Sequence, residues 1–295
     1  MPDRVTAAAH AKANLFLRVL ARESSGYHSL ETLFTLLELH DDVAVERTEA
    51  GIELDVEGAD TGPAEENLAY RAAAMVLDAT GRRFGVRIGL TKRIPVQAGL
   101  GGGSSDGAAA LHAVNLLAET AVPQHEILQF AAKLGSDVPF FASGAPLALA
   151  WGRGERLFRL TPPPAAPTLL VVPRFGISTK QAYELLAQTR VHEERRGAVA
   201  LEADAFGSWG AIGRLSGNDF EAPVFGKEPE LRELFERLAE TRPLLVRLCG
   251  SGSALIAVYR NETDRDGAEL TMGQRDRALI GTHTRAVPTP AQKGP

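Results

Sequence analysis

The chain has 295 residues, enough for two domains at roughly 150 residues each, and its 44% hydrophobic and 23% charged content excludes a disordered or fibrous protein. Thirty-two Lys and Arg against 37 Asp and Glu give a formal net charge of −5, so no global cationic field exists to hold a nucleic acid backbone. The single cysteine, Cys249, excludes an internal disulfide and a thiolate metal site and points to the cytoplasm, while charges at Asp3, Arg4 and Lys12 and the lack of a long apolar run predict neither signal peptide nor membrane span.

From Ala11 to Val56 the chain is expected to be β-rich: Leu15, Leu17 and Val19 share one face, followed by Val43 and Val45, then Ile52, Leu54 and Val56. The spacing changes to a helical stripe over Asn67 to Thr80, with Leu68, Ala72, Met75, Val76 and Ala79 along it and Gly81 as its stop. Val86, Ile88 and Leu90 predict a strand that Pro95 ends, and a glycine-dense turn from Gly99 to Gly103 leads into an alanine-rich helix beginning near Ser104. A second amphipathic helix is predicted over Gln124 to Leu134, stopped by Gly135, followed by a short connector from Ser136 to Phe141. Four prolines between Thr161 and Pro167 favour extended backbone and mark a domain joint. Beyond them, Leu169 to Val172 and Leu244 to Leu248 read as strands, and Thr179 to Gln188 and Glu230 to Glu240 as helices. The expected fold class is α/β (α+β), divided into residues 1–160, residues 161–284 and a flexible tail over residues 285–295.

In the segment from Pro95 to Asp106, glycines let successive backbone N–H groups converge, and the following helix start adds orphan donors and the positive end of its dipole. Such a loop cradles phosphate. No Gly-Lys-Ser or Gly-Lys-Thr follows, and the dinucleotide spacing Gly-x-Gly-x-x-Gly is not matched, so the two commonest nucleotide motifs and a dinucleotide oxidoreductase are set aside. On the residues alone a plain helix start with Ser104 and Ser105 as caps stays open.

Three segments coincide: Ala11-Lys12-Ala13-Asn14-Leu15-Phe16-Leu17, the Gly99 to Ser105 loop, and Leu248-Cys249-Gly250-Ser251-Gly252-Ser253. Together they resemble the GHMP small-molecule kinases, the group of galactokinase, homoserine, mevalonate and phosphomevalonate kinases. Two further segments, Gly26-Tyr27-His28-Ser29-Leu30 and Gly135-Ser136-Asp137-Val138-Pro139-Phe140-Phe141, are similar to the branch of that family acting on 4-diphosphocytidyl-2-C-methyl-D-erythritol. The resemblance runs to about Tyr259. It implies a two-domain GHMP kinase fold with ATP on the N-terminal domain, a cleft between the domains, and magnesium on the nucleotide. It also implies transfer of the γ-phosphoryl to the 2-hydroxyl of a cytidine-diphosphate sugar alcohol in the non-mevalonate isoprenoid route. The expected partner is this small molecule, not nucleic acid or membrane, and the expected state is a monomer or homodimer.

Residue by residue, the resemblance implies that Lys12 and Asp137 are catalytic. Phosphoryl transfer needs alignment and charge stabilisation, a carboxylate can take the hydroxyl proton, and an ammonium keeps that carboxylate ionised. Tyr27 and His28 match a cytosine-binding pair, Tyr183 a second aromatic wall, and Asn14 and Thr179 further substrate contacts. For ATP the implied set is Asn67, Pro95, Gly99, Leu100, Gly101, Gly102, Gly103, Ser104 and Ser105. Asn67 reads equally as a helix N-cap, and Tyr183 equally as a half-buried helix aromatic. Ser136 departs from the usual Gly-Ala-Asp, and Ala13 from a larger apolar residue. The histidines form no metal-ligand spacing with carboxylates, so no protein-held metal is expected. A mevalonate-type or homoserine-type kinase, and a non-catalytic nucleotide sensor, remain open.

Overall fold

The computed structural model describes residues 3–22, 28–189, 203–273, 277–288 and 292–293. In chain order the first half contains β1 (Arg4–Arg22), β2 (His28–Thr48), β3 (Ile52–Glu57), α1 (Leu68–Ala79), β4 (Gly85–Thr91), α2 (Gly102–Leu117), α3 (Gln124–Leu134), α4 (Val138–Ser143), β5 (Leu147–Gly152) and β6 (Arg156–Arg159). The second half contains β7 (Pro167–Pro173), α5 (Thr179–Thr189), α6 (Trp209–Leu215), α7 (Glu221–Lys227), α8 (Pro229–Glu240), β8 (Leu245–Leu248), β9 (Leu255–Val258), α9 (Glu262–Met272), β10 (Arg277–His283) and β11 (Gln292–Lys293).

Long antiparallel strands β1 and β2 form the spine of the first sheet, which runs β11-β1-β2-β4-β3. β2 serves two partners in succession. Leu30 to Thr35 pair with β5, and Asp42 to Thr48 pair with β4. Val5, Val43, Val45, Val86, Ile88 and Leu90 on one face are covered by α1, α2 and α3. The alanines of α2, Ala108, Ala109, Ala110 and Ala113, let it lie close against this sheet.

The second sheet has the order β10-β7-β9-β8. Alternation along β7 divides its buried residues between two cores. Leu169 and Val171 pack with Leu186 of α5, Val224 of α7 and Leu231, Leu234 and Leu238 of α8, whereas Leu170 and Val172 join Ala11, Ala13, Leu15, Leu33 and Leu37 of the first sheet. Each of these leucines and valines contributes about 1.5–3 kcal/mol by leaving water. The shared core therefore fixes β1 against the second sheet and sets Lys12 and Asn14 beside the turn between β8 and β9.

α3 has the residue range expected from its periodicity, because Gly135 closes it. α2 starts at Gly102, two residues before the predicted start, because Gly101 at φ 74° already takes the left-handed turn that ends the loop. The predicted connector over Ser136 to Phe141 is largely helix. Asp137 stands at the N-cap position and Pro139 in the first turn, where a missing N–H costs nothing. Within the segment expected as a tail, Gln292 and Lys293 pair with Thr6 and Val5 of β1.

Candidate active site

Register shifts in β1 between His10 and Lys12 and between Asn14 and Phe16 interrupt its ladder with β2. The Lys12 backbone N–H donates to Leu100 O at 2.9 Å, tying the strand to the glycine loop. Lys12 is 4% exposed, so its ammonium requires acceptors. It donates to Asn14 Oδ1 at 2.8 Å and lies 3.4 Å from Asp137 Oδ2 and 5.1 Å from the centre of the Phe34 ring. Asn14 in turn donates to Thr32 Oγ1 at 2.8 Å, and Thr32 donates to Phe16 O at 2.6 Å. This chain fixes the direction of the ammonium. Asp137 makes no cap hydrogen bond to its own helix, and about a third of its side chain faces solvent in the cleft.

Two glycine turns meet over this pair. A Cβ on Gly99 would fall 2.0 Å from Cys249 O, one on Gly101 would lie 3.0 Å from Lys12 Cγ, and one on Gly250 would lie 3.6 Å from Lys12 Nζ. Only backbone without side chains allows that approach. Asn218 secures the second turn by donating to Leu248 O at 2.9 Å and Gly250 O at 2.7 Å, and Thr179 Oγ1 lies 3.2 Å from Ser251 Oγ. Cys249 is fully buried, and burial pushes its thiol up to about 12, so it is not a thiolate nucleophile.

The cleft around these groups measures about 1410 Å³ and takes in Lys12, Asn14, His28, Gly99, Gly101, Asp137, Thr179 and Tyr183. His28 and Tyr183 stack with ring centres 4.5 Å apart and planes at 16°, and Tyr183 meets the edge of Phe220 at 4.9 Å. Burial, with the nearby Asp137 charge, raises the Tyr183 hydroxyl above its usual value and keeps it neutral. The cleft wall also carries the exposed cations Lys133, Arg153, Arg156 and Lys180. The β5–β6 turn brings Gly154 next to the carboxylate, where a Cβ would lie 3.8 Å from Asp137 Oδ1.

Eight of the residues expected from sequence are thus gathered at one cleft. Pro95, Leu100, Gly102, Gly103, Ser104, Ser105 and Asn67 do not line it. Gly102 to Ser105 form the first turn of α2 immediately behind Gly101, and Leu100 is buried in the core. Asn67 caps α1, accepting from Ala69 N at 2.9 Å, while its amide donates to Thr61. Tyr27 lies outside the described residues. Sequence reasoning missed Thr32, Phe34 and Phe220, whose relation to Lys12, Asn14 and Tyr183 depends on cross-strand register and tertiary packing. Arg153, flanked by glycines on both sides, carried the one local signal among the residues missed.

The chain matches the GHMP kinases N terminal domain over residues 67–145 and the GHMP kinases C terminal domain over residues 198–276. It is 41% identical over 281 residues to 4-diphosphocytidyl-2-C-methyl-D-erythritol kinase of Pelotomaculum thermopropionicum, covering 95% of this chain and 98% of the relative. The chain belongs to the 4-diphosphocytidyl-2-C-methyl-D-erythritol kinase family of GHMP kinases. The Moorella thermoacetica kinase of the same name is 40% identical, over 87% of this chain and 90% of that one. A crystal structure of 4-(cytidine 5'-diphospho)-2C-methyl-D-erythritol kinase superposes with a TM-score of 0.79 at 34% identity, covering 95% of this chain and 98% of that chain. A homoserine kinase from Cytophaga hutchinsonii, with a TM-score of 0.71 at 17% identity over 99% of this chain and 98% of that one, shares the fold. Family membership makes this chain a kinase using ATP and a small-molecule acceptor, and favours the cytidyl substrate over the mevalonate, homoserine and sensor alternatives. Among the described residues no helix is long and apolar enough to cross a membrane.

Proposed function

We propose that this chain transfers the γ-phosphoryl group of ATP to the 2-hydroxyl of 4-diphosphocytidyl-2-C-methyl-D-erythritol, giving the 2-phosphate and ADP, in the cytoplasmic non-mevalonate route to isoprenoid precursors. The single observation that carries the chemical assignment is the Lys12 to Asp137 contact of 3.4 Å beside the Gly99–Gly101 turn. Asp137 accepts the proton of the attacking hydroxyl. Lys12, oriented by Asn14, stabilises negative charge on the attacking oxygen and transferring group. Phosphate oxygens are received by backbone N–H groups of the glycine turn and of Gly102 to Ser104 at the start of α2, ahead of Ser105, whose N–H already donates to Gly101 O at 2.9 Å.

The cytidine end lies toward Tyr183 and His28. At 4.5 Å their rings leave no room for a base between them, so the base takes the place of His28 on the Tyr183 face and frees the imidazole for the base edge. Tyr27 is assigned the same pocket from its motif. The cations Arg153, Arg156, Lys133 and Lys180 supply positive potential for the diphosphate. Magnesium is assigned to the nucleotide, since this ion is commonly bound by substrate phosphates and water. When bound it neutralises phosphate charge. Division near residue 160 into ATP-binding and C-terminal halves agrees with the two family matches, which lie on either side of it.

An ADP-release assay with this cytidyl alcohol, mevalonate and homoserine as acceptors tests the reading. Release dependent on the cytidyl alcohol alone is expected. Equal or greater release with mevalonate or homoserine, or ATP binding with no transfer to any acceptor, would overturn it.

A further inference from the structure

Directly behind the glycine turn lies a charge cluster that the proposed chemistry does not use. Lys92, just past the end of β4, is 9% exposed and donates from Nζ to Asp41 of β2 and, at 2.5 Å, to Asp106 Oδ2 of α2. Asp41 is fully buried and its Oδ1 also accepts the backbone N–H groups of Arg93 at 2.5 Å and Ile94 at 2.8 Å. Asp106 is 2% exposed, and its Oδ1 is buried with no hydrogen-bond partner among the described residues. Two carboxylates thus share one ammonium, and one of them is half-satisfied. The cluster touches the start of α2, since a Cβ on Gly102 would lie 3.4 Å from Asp41 Oδ2.

We propose that Asp106, together with Asp41 and Lys92, is a proton-linked positioning group for the nucleotide, so that placing phosphates at the N-terminus of α2 draws a proton from solvent onto this cluster. The inference rests on the reading that ATP phosphates lie at that helix start. An excess buried anion is costly, and a polyphosphate arriving across Gly102 adds negative charge on its other side. The carboxyl that can relieve this repulsion is Asp106. Burial pushes it up to about 7, opposed by Lys92 and reinforced by the charge and hydrogen bond of Asp41. Lys92, raised by the two carboxylates against the opposing effect of its own burial, stays charged. Elements α1, β1, β4 and α4 meet α2 through apolar residues such as Ala72, Ala9, Ile88 and Ala142. His10 of β1 and His112 of α2 line a separate small pocket with Ser105 and Phe141, and both are held neutral, chiefly by burial.

The sign follows from linkage. With phosphate bound, the protonated carboxyl is favoured, so nucleotide affinity is highest where Asp106 is already protonated and falls as pH rises through 7. Each unit by which phosphate raises the group weakens binding about tenfold between the acidic and alkaline limits.

The test is isothermal titration calorimetry of ADP with magnesium at pH 7, in buffers of differing ionisation enthalpy, on the intact wild-type chain and on Asp106→Asn. Protons of ADP itself titrate equally with both, so the difference in proton uptake isolates the cluster. Expected is greater uptake by wild type, and a flatter affinity-against-pH curve for the variant. Equal proton uptake by the two would overturn the inference. A purely structural role for Asp106 would change affinity without changing proton number. If the variant does not fold, infrared difference spectra of the unmodified chain decide the matter. A carboxylic-acid carbonyl band that grows when ADP is added supports the proposal, and its absence contradicts it. Failure of the phosphate-site reading shows differently, as ADP binding unaffected by Gly101→Val.

Discussion

Lys12 Nζ and Asp137 Oδ2 lie 3.4 Å apart at the floor of the cleft, one carried by the central strand β1 and the other by the start of the short helix α4. Asn14 and the Phe34 ring also contact the ammonium, and the carboxylate is the more solvent-accessible member of the pair, 31% exposed against 5%.

Asp137→Asn keeps the volume but removes the proton acceptor. Turnover is expected to fall about 10²- to 10⁴-fold, with KM for both substrates little changed. Steady-state kinetics at saturating substrate checks this, and near-normal kcat would show that Asp137 is not the base.

Tyr183→Ala removes the ring on which the base stacks. A stacking contribution of about 1–3 kcal/mol corresponds to roughly a 5- to 160-fold rise in KM for the cytidyl substrate, while kcat at saturation and KM for ATP are spared. Tyr183→Phe should retain the wild-type KM, since the hydroxyl is not assigned a role. An unchanged KM in the alanine variant would place the cytidine elsewhere.

Gly99 and Gly103 are expected to behave oppositely on replacement by alanine. At Gly99, with φ 79° and a Cβ that would fall 2.0 Å from Cys249 O, the change should cost about 1–3 kcal/mol or more and disturb the meeting of the two turns. Gly103 sits in the first turn of α2, and an added Cβ there would meet no heavy atom within 4 Å, so Gly103→Ala should be neutral or stabilising by about 0.4–1 kcal/mol. Denaturant unfolding of both variants measures the contrast.

His10 makes stability sensitive to acid. Buried at 5% exposure and bonded through Nδ1 to Leu37 O, its imidazole is brought down from 6.5 to about 4, first by burial and then by the charge of Arg285. The neutral form is favoured on folding, so this contribution is complete above about pH 6.5 and is lost as pH falls through about 4. His10→Gln, unable to charge, should lose less stability than wild type between pH 7 and pH 4.5, as read by urea unfolding at the two values.

Much of this site was legible because its signals are local. The glycine run, Lys12 with Asn14 two residues on, and the segment around Asp137 each declare a conformation or a face within a few residues. Asn67 was ambiguous for a physical reason: a side chain that caps α1 and one that meets a base are the same residue at the same helix start, and only the hydrogen bond to Ala69 N reveals the cap. The six residues of α4 were too short to show a helical period. Phe34 and Thr32 reach Lys12 and Asn14 only through the register of β2 against a bulged β1. The His28–Tyr183 stack and the cluster of Asp41, Lys92 and Asp106 join groups from separate elements, and no spacing along the chain encodes such meetings.

The most direct measurement is a crystal structure of the ternary complex with a non-hydrolysable ATP analogue and 4-diphosphocytidyl-2-C-methyl-D-erythritol. The account predicts the γ-phosphorus at the Gly99–Gly101 turn, with Lys12 and Asp137 flanking the 2-hydroxyl in hydrogen-bond reach. A terminal phosphate bound away from both side chains, or a 2-hydroxyl directed elsewhere, would contradict it.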